Sequence, residues 1–336
     1  MDHLANCTKA SPENIESCYN TDIDRDFMPN KHLEHPEDTI FEGRRKALSA
    51  IRTLISADAF SVKWDGAPAV VFGTNPDNGQ FFVGTKSVFN KKKIKINYSF
   101  EDIDKNHKGD LANILRLCLR YLPRIDTIVQ ADFIGVGPGS VYRPNTIEYK
   151  FPNQITQQII LAPHTSYVSI HPDSIGHFGV NLVSTQDCYF VDTTKAQVKD
   201  NWVNLKWLSI LKDLMFAGKA NKKTLPEVRK HVNAAIRCGD KLDASALYET
   251  YVEKFDKYQC GVNLNTFKVW VNIAKLKLRL LENIETTDNV KCFIDGTPTD
   301  HEGFVTLTDD PYKIVDRETF SKANFNLDKN WTHEKV

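Results

Sequence analysis

The alternation of apolar and polar positions sorts most of the chain into recognisable elements. From Glu42 onward, Ala47, Leu48, Ile51, Leu54 and Ile55 recur on one face at helical spacing. Two short apolar runs follow, 59–62 and 69–73, separated by Asp65-Gly66; the pattern predicts a strand, a tight turn and a second strand. A turn at 74–79 and a third run at 80–84 extend this into a three-stranded meander. Leu111, Ile114, Leu115, Cys118, Tyr121 and Leu122 predict an amphipathic helix over 109–122, stopped by Pro123. Strands are expected at 126–135 and 145–151, with a wide glycine turn at 135–139 between them.

The period then changes. Trp202, Leu205, Leu208, Leu211, Leu214 and Met215 mark one helix, and Phe267, Trp270, Val271, Ala274, Leu278 and Leu281 mark the longest. Shorter helices are expected around 225–237 and 244–258, and strands return at 290–294 and 301–307. No heptad run or internal repeat is present. The class is α+β: antiparallel sheets with flanking helices over 36–194 and 286–336, an all-helical insert over 195–285, and a loosely ordered lead-in over 1–35.

Composition changes this picture in two places. Net charge is zero, with 43 basic and 43 acidic residues, which excludes a global electrostatic footprint for nucleic acid. Within 195–285, however, there are 17 Lys plus Arg against 10 Asp plus Glu, an excess of seven that includes Lys219, Lys222, Lys223, Arg229 and Lys230. The bland account of such a segment is a solvated face; the sharper one is a clamp for phosphates. The same choice applies to Lys91-Lys92-Lys93-Ile94-Lys95. No apolar run approaches a membrane span, and residues 1–30 are polar without a signal-peptide core, so a soluble, cytoplasmic protein is expected. The seven cysteines are odd in number and never spaced Cys-x-x-Cys, which fits reduced thiols. His164, His171 and His177 fit no zinc spacing and read as structural.

The candidate chemistry begins at Lys63-Trp64-Asp65-Gly66. A lysine at the mouth of a turn, partly desolvated or beside another cation, tends toward the neutral amine, its nucleophilic form. Lys63-x-Asp65-Gly66 resembles the lysine motif of the covalent nucleotidyltransferases, which comprise ATP-dependent DNA ligases, RNA ligases and mRNA capping enzymes. Further resemblances follow in the same order as in that superfamily: Thr85-Lys86-Ser87, the strand ending at Asp132, an aromatic at Phe151, Glu302-Gly303-Phe304-Val305, and Lys313 in an apolar strand. The superfamily usually has Arg at Lys86, Gly-Glu at Ala131-Asp132, a second lysine at Val315 and, in DNA ligases, arginine at Pro68; Arg317 is an unaligned substitute for the missing lysine.

The resemblance implies a ligase-type nucleotidyltransferase fold and a set of roles. Lys63 would attack the α-phosphate of ATP. Asp65, Gly66, Lys86, Asp132, Phe151 and Lys313 would bind the nucleotide, with Phe151 stacking on adenine, and Glu302 and Asp132 would hold Mg²⁺. The partners implied are RNA or DNA ends carrying a 5′-phosphate and a 3′-hydroxyl, with no membrane. The chain ends 23 residues after Lys313, too few for the C-terminal OB domain of DNA ligases. That favours a minimal RNA-ligase-like protein of the phage-encoded kind, acting in the host cytoplasm, with a separate subunit as the source of any missing domain. Two other functions stay open: a non-catalytic nucleic-acid-binding or assembly protein with a degenerate ligase-like fold, and transfer of adenylate to a protein or small molecule.

Overall fold

A computed structural model describes residues 33–199, 207–239, 242–255 and 261–320. Most of the expected lead-in and the start of the helix expected from Trp202 lie outside these residues. The 3₁₀ segment Pro36–Glu42 enters α1 (Arg44–Ser56), which buries Ala47, Ala50, Ile51 and Leu54. Strands β1 (Phe60–Lys63), β2 (Ala69–Thr74), β3 (Phe81–Gly84) and β4 (Ile96–Asn97) follow, with a short 3₁₀ turn Lys86–Phe89 before β4. Helices α2 (Phe100–Asn106) and α3 (Gly109–Tyr121) precede β5 (Ile128–Val136), β6 (Gly139–Tyr142), β7 (Glu148–Ile155), β8 (Ile159–Tyr167), β9 (His177–Phe178), β10 (Cys188–Phe190) and β11 (Ala196–Val198). The helical region is α4 (Leu208–Phe216), α5 (Thr224–Cys238), α6 (Ala244–Lys254) and α7 (Leu264–Glu282). Five short strands close the chain: β12 (Ile284–Thr286), β13 (Lys291–Ile294), β14 (Thr297–Thr299), β15 (Gly303–Thr306) and β16 (Lys313–Val315).

The fold is mixed α+β and its sheets are mainly antiparallel. The largest sheet runs β10-β8-β5-β2-β3-β4 with β9 beside β8, and β10 pairs with β8 in parallel. Strand period decides its two faces. Val70, Phe72, Val129, Ala131 and Phe133 turn toward Leu115, Cys118 and Leu119 of α3, whereas Val71 packs with Phe82, Phe89 and Tyr167. A smaller sheet has the order β1-β15-β16.

The Lys63 stretch is not a hairpin, which corrects the sequence expectation. Strand β1 pairs with β15, while β2 pairs with β3 and β5, so Trp64–Pro68 is a crossover between two sheets. The meander is therefore β2-β3-β4 and excludes Lys63. Asp-Gly is a local turn signal, but the pairing edge of β1 is taken by residues about 240 positions away, which no local pattern reveals.

The helical region is flanked by the antiparallel β11–β12 pair, yet it is not a separate body. Its Val228, Tyr251, Phe267, Trp270 and Leu280 share one apolar core with Phe41 and Ile51 and with Phe60, Trp64 and Tyr149 from the sheet-forming part. A buried ionic node fastens this junction. Glu37 accepts from Lys277 Nζ at 2.7 Å and from Arg317 Nη1 at 3.1 Å. Asp38 accepts from Arg317 Nη1 at 3.0 Å and from Trp270 Nε1 at 2.8 Å. Arg317 also donates to Asn233. Arg317 is thus committed to the node and is no substitute for the lysine missing at Val315. Removing one member of a buried charge group leaves its partners uncompensated at about 3–5 kcal/mol. Arg317→Ala is expected to lose stability of that order, read as a fall in the urea midpoint, whereas Arg143→Ala, whose partner Asp295 is exposed, should change it by about 0–1 kcal/mol.

Candidate active site

The small sheet supplies one wall of a cleft through its register. Lys63, at the end of β1, lies opposite Gly303 in β15, and Gly303 lies opposite Val315 in β16. Glu302 immediately precedes Gly303, so the antiparallel pairing sets its carboxylate against Lys63, whose Nζ donates to Glu302 Oε2. Only glycine serves at 303: its φ is +146°, and an added Cβ would sit 2.2 Å from the Ile314 carbonyl oxygen. Lys313 follows on β16, held through its backbone N–H to the Glu34 carbonyl.

The crossover after Lys63 is fixed just as tightly. The Asp65 carboxylate accepts from Asn145 Nδ2 at 2.8 Å and from the N–H groups of Thr146 and Ile147 at 2.8 and 3.1 Å. The Asp65 N–H donates to the Tyr149 hydroxyl at 2.6 Å. Gly66 passes so close to β5 that a Cβ there would lie 2.7 Å from Asp132 Cβ. Asp65 and Gly66 therefore shape the backbone that carries Lys63, and neither lines the cavity itself.

The large sheet makes the opposite wall. Because Ala131 and Phe133 face α3, the period of two turns Gln130 and Asp132 to the cleft. Strand β8 adds Ala162, His164, Thr165 and Tyr167, and the Lys86–Phe89 turn adds Lys86. The resulting cavity of about 220 Å³ is lined by Lys63, Lys86, Asp132 and Lys313, with Phe178 and Leu33 among its apolar contacts. Leu33 and Glu34 are packed against the site and so do not belong to a loose lead-in.

Phe151 is elsewhere. It belongs to the β14-β13-β7-β6 sheet, stacks on Trp64 with ring centres 5.9 Å apart, and is buried between Tyr142 and Tyr189. It supports the lysine turn from behind and does not line the cavity. The aromatic side chains that do line it are Trp64, Tyr167 and Phe178.

Sequence reading took His164 as structural and did not single out Gln130 or Tyr167, yet all three line the cavity. Tyr167 donates to Gln130 Oε1 at 3.0 Å, Gln130 Nε2 is 3.5 Å from His164 Nε2, and that nitrogen is 3.7 Å from Asp132 Oδ1. The Nδ1 of His164 lies 2.6 Å from Thr165 Oγ1. Gln130 carried a usable signal, since a polar residue two positions before Asp132 in an apolar strand must share its face. His164 carried none, because its neighbours come from β5.

The electrostatics contradict the neutral resting amine expected for Lys63. Burial favours the neutral form, but the Glu302 and Asp132 carboxylates, the bond to Glu302 and the Asp65 charge outweigh it, and the Lys63 pKa is raised. Burial raises Glu302 as well, against the pull of Lys63. The depressed amines are Lys86, lowered by burial and by Lys63 against the pull of Asp132, and Lys313. Lys313 is lowered to about 8 by burial and then by Lys63. Burial, followed by the charges of Arg317, Lys277, Lys313 and Lys63, also holds His35 neutral.

A family profile matches residues 30–263 and 258–329, nearly all of the described chain. The chain belongs to DUF6267, a family of unknown function. No curated protein sequence and no solved structure matches it. Among the described residues of this DUF6267 member, no helix is long and apolar enough to cross a membrane. Nor does any group of three or more His, Cys, Asp or Glu side chains there form a ready metal cage. Glu302 and Asp132 remain two carboxylates acting on the same amine, a donor set that suits Mg²⁺, which takes one or two protein carboxylates and completes its shell with water and phosphate oxygens.

The charge pattern gives a direct test. In lysine-methylated protein observed by NMR, Lys313 should titrate near pH 8, whereas Lys63 should titrate above the ordinary lysine value of about 10.4. Glu302→Gln removes the nearest anion and should lower the Lys63 value. An unchanged Lys63 titration in that variant would contradict the ion pair.

Proposed function

We propose that this protein is an ATP-dependent nucleotidyltransferase of the ligase type, which forms a covalent Lys63–AMP and passes the adenylate to a polynucleotide 5′-phosphate for sealing with a 3′-hydroxyl. The observation that carries this reading is convergence. Lys63, Lys86, Asp132 and Lys313 span 250 positions of sequence and line one cleft between two sheets, and Glu302, outside the lining, accepts from the Lys63 amine. An amine nucleophile, two further cations and two carboxylates are the groups that attack on a phosphorus atom and departure of a polyanionic leaving group require.

Each side chain then has a task. The Lys63 side chain keeps 26% of its surface open, so Nζ can shed its proton to solvent and present a lone pair to the α-phosphorus. The N–P bond forms as the bond to the β-phosphate oxygen breaks, and pyrophosphate carries away that electron pair. Glu302 orients Nζ, and Lys86 and Lys313 bring positive charge to phosphate oxygens. Bound Mg²⁺, held by Glu302 and Asp132, would add charge neutralisation at those oxygens. A cavity of about 220 Å³ is smaller than the roughly 300–1,000 Å³ of most ligand clefts, so a nucleoside triphosphate would occupy its mouth as well as its interior.

The protonated resting state of Lys63 favours a second reading, a ligase-like protein that binds nucleic acid or assembles without catalysis. Transfer of AMP to a protein or small molecule is a third. Incubation with α-labelled ATP and Mg²⁺, with the product kept at neutral to alkaline pH, separates them. Label should stay on wild-type protein through denaturation and be absent from Lys63→Ala; no label on wild type, with ATP binding intact, would leave the non-catalytic reading. Because the attacking amine must be neutral, log kcat/KM for labelling should rise with a slope of about one per pH unit below pH 8 and flatten above it, as Lys313 loses its charge. Lys313→Arg should remove the flattening. A break that persists in that variant would assign it to another group.

A further inference from the structure

A larger cavity, about 600 Å³, shares no lining residue with the Lys63 cleft. It opens where the start of α1 meets the loop after α4, and it is lined by Glu42, Gly43, Arg44, Arg45, Lys46, Ala217, Gly218, Lys219 and Gly261. Four cations face one carboxylate, and that carboxylate is already engaged, because Glu42 accepts from Lys46 and from Arg229 Nη2 at 2.7 Å. Arg44 is also occupied, its Nε donating to the Ala217 carbonyl at 2.9 Å. Arg45 and Lys219 are exposed, and no hydrogen bond or ion pair engages their side chains among the described residues.

The walls of this cavity are set before any ligand arrives. The Ala220 N–H donates to the Phe41 carbonyl at 2.9 Å. Thr266 Oγ1 donates to the Gly218 carbonyl at 3.0 Å, and Asn263 Nδ2 to the Phe216 carbonyl at 2.9 Å. Gly218 and Gly261 let the two backbones touch, since a Cβ on Gly218 would lie 2.3 Å from the Gly261 carbonyl oxygen. The Lys219 side chain reaches across the seam, its Cδ 3.6 Å from where a Cβ on Gly43 would be. Cationic surface continues past the rim, where Lys222 and Lys223 are exposed on the turn into α5.

We infer that this cavity is a second phosphate-binding site, separate from the Lys63 cleft, which takes the backbone of a single-stranded polynucleotide through Arg45 and Lys219. An enclosed pocket would suit a small anion. This one is open and its charge runs on to Lys222 and Lys223, which suits a chain of phosphates. The inference rests on the polynucleotide substrate of the proposed function, and its test reads binding alone, so failure of adenylation and failure of this site are told apart.

The test measures binding of a short fluorescent single-stranded oligonucleotide as salt is varied, without ATP. Arg45→Glu/Lys219→Glu is compared with Lys105→Glu/Lys108→Glu, which changes net charge equally on exposed positions of another face. An acidic residue in the first turn of α1 favours the helix, so the first variant should fold, and its melting temperature checks this. Arg45→Glu/Lys219→Glu should weaken binding on the order of tenfold or more, with the log–log salt slope flatter by about 1.4, about 0.7 for each single-strand contact. The control should keep the wild-type slope. Equal losses in the two variants, or none in either, would overturn the inference. So would a variant that loses tripolyphosphate binding while retaining the oligonucleotide, since the cavity would then hold only a small anion.

Discussion

The buried charge node of Glu37, Asp38, Lys277 and Arg317 is the constraint on which the arrangement depends. Two carboxylates and two cations cancel in a region where the Lys277 side chain keeps 2% of its surface and that of Glu37 keeps 1%. Such a group adds little net stability over a well-packed apolar substitute, because desolvation offsets attraction. Its effect is directional. The node admits one relation between the 3₁₀ segment at 36–42, the long helix α7 and the residues just after β16. Since β16 carries Lys313, the node also fixes one wall of the cleft. Trp270 and Asn233 extend the same fastening to α7 and α5.

A second constraint is close backbone approach. Gly66 at β5 and Gly303 at β16 are the points where the two sheets, or two strands of one sheet, come nearer than any side chain permits. Both flank candidate site residues, one next to Asp132 and one next to Glu302. The lysine is therefore presented by strand ends held in register and does not depend on a free loop. Its amine is held between carboxylates, and its counterparts Lys313 and Lys86 are pushed toward neutrality by burial. The cleft thus has its positive charge concentrated on Lys63.

Element types were largely legible from period. Helix α3, strand β5, the long helix α7 and the return of strands after 286 all followed from residue spacing, the helices because each buries one stripe and β5 as an apolar run buried on both faces. Partners were not legible. The Asp65-Gly66 turn read as a hairpin, since nothing local announces that β1 pairs with β15. Phe151 read as a base-stacking residue from its order in the chain, whereas it lies in a different sheet and stacks on Trp64 of the crossover. His164 looked unremarkable because its meaning lies in Gln130 and Asp132 on the neighbouring strand. The helical stretch looked detachable because composition changes at its ends, while its apolar faces are spent on Phe41, Ile51 and Trp64 in a common core.

The pairing of Lys63 with Glu302, 239 positions apart, bears on how the protein is made. Contacts of such separation form late, after loop-closure entropy has been overcome, and a nascent chain meets its N-terminal strands first. Strand β1 leaves the ribosome with its pairing edge for β15 open, and that edge stays so until β15 emerges. During that interval Asp132 is already in the chain, but the lysine has no Glu302 beside it and no Lys313 in its cleft. A chain stopped anywhere before the last strands therefore holds Lys63, Lys86 and Asp132 but lacks Glu302 and Lys313, the two groups that complete their surroundings.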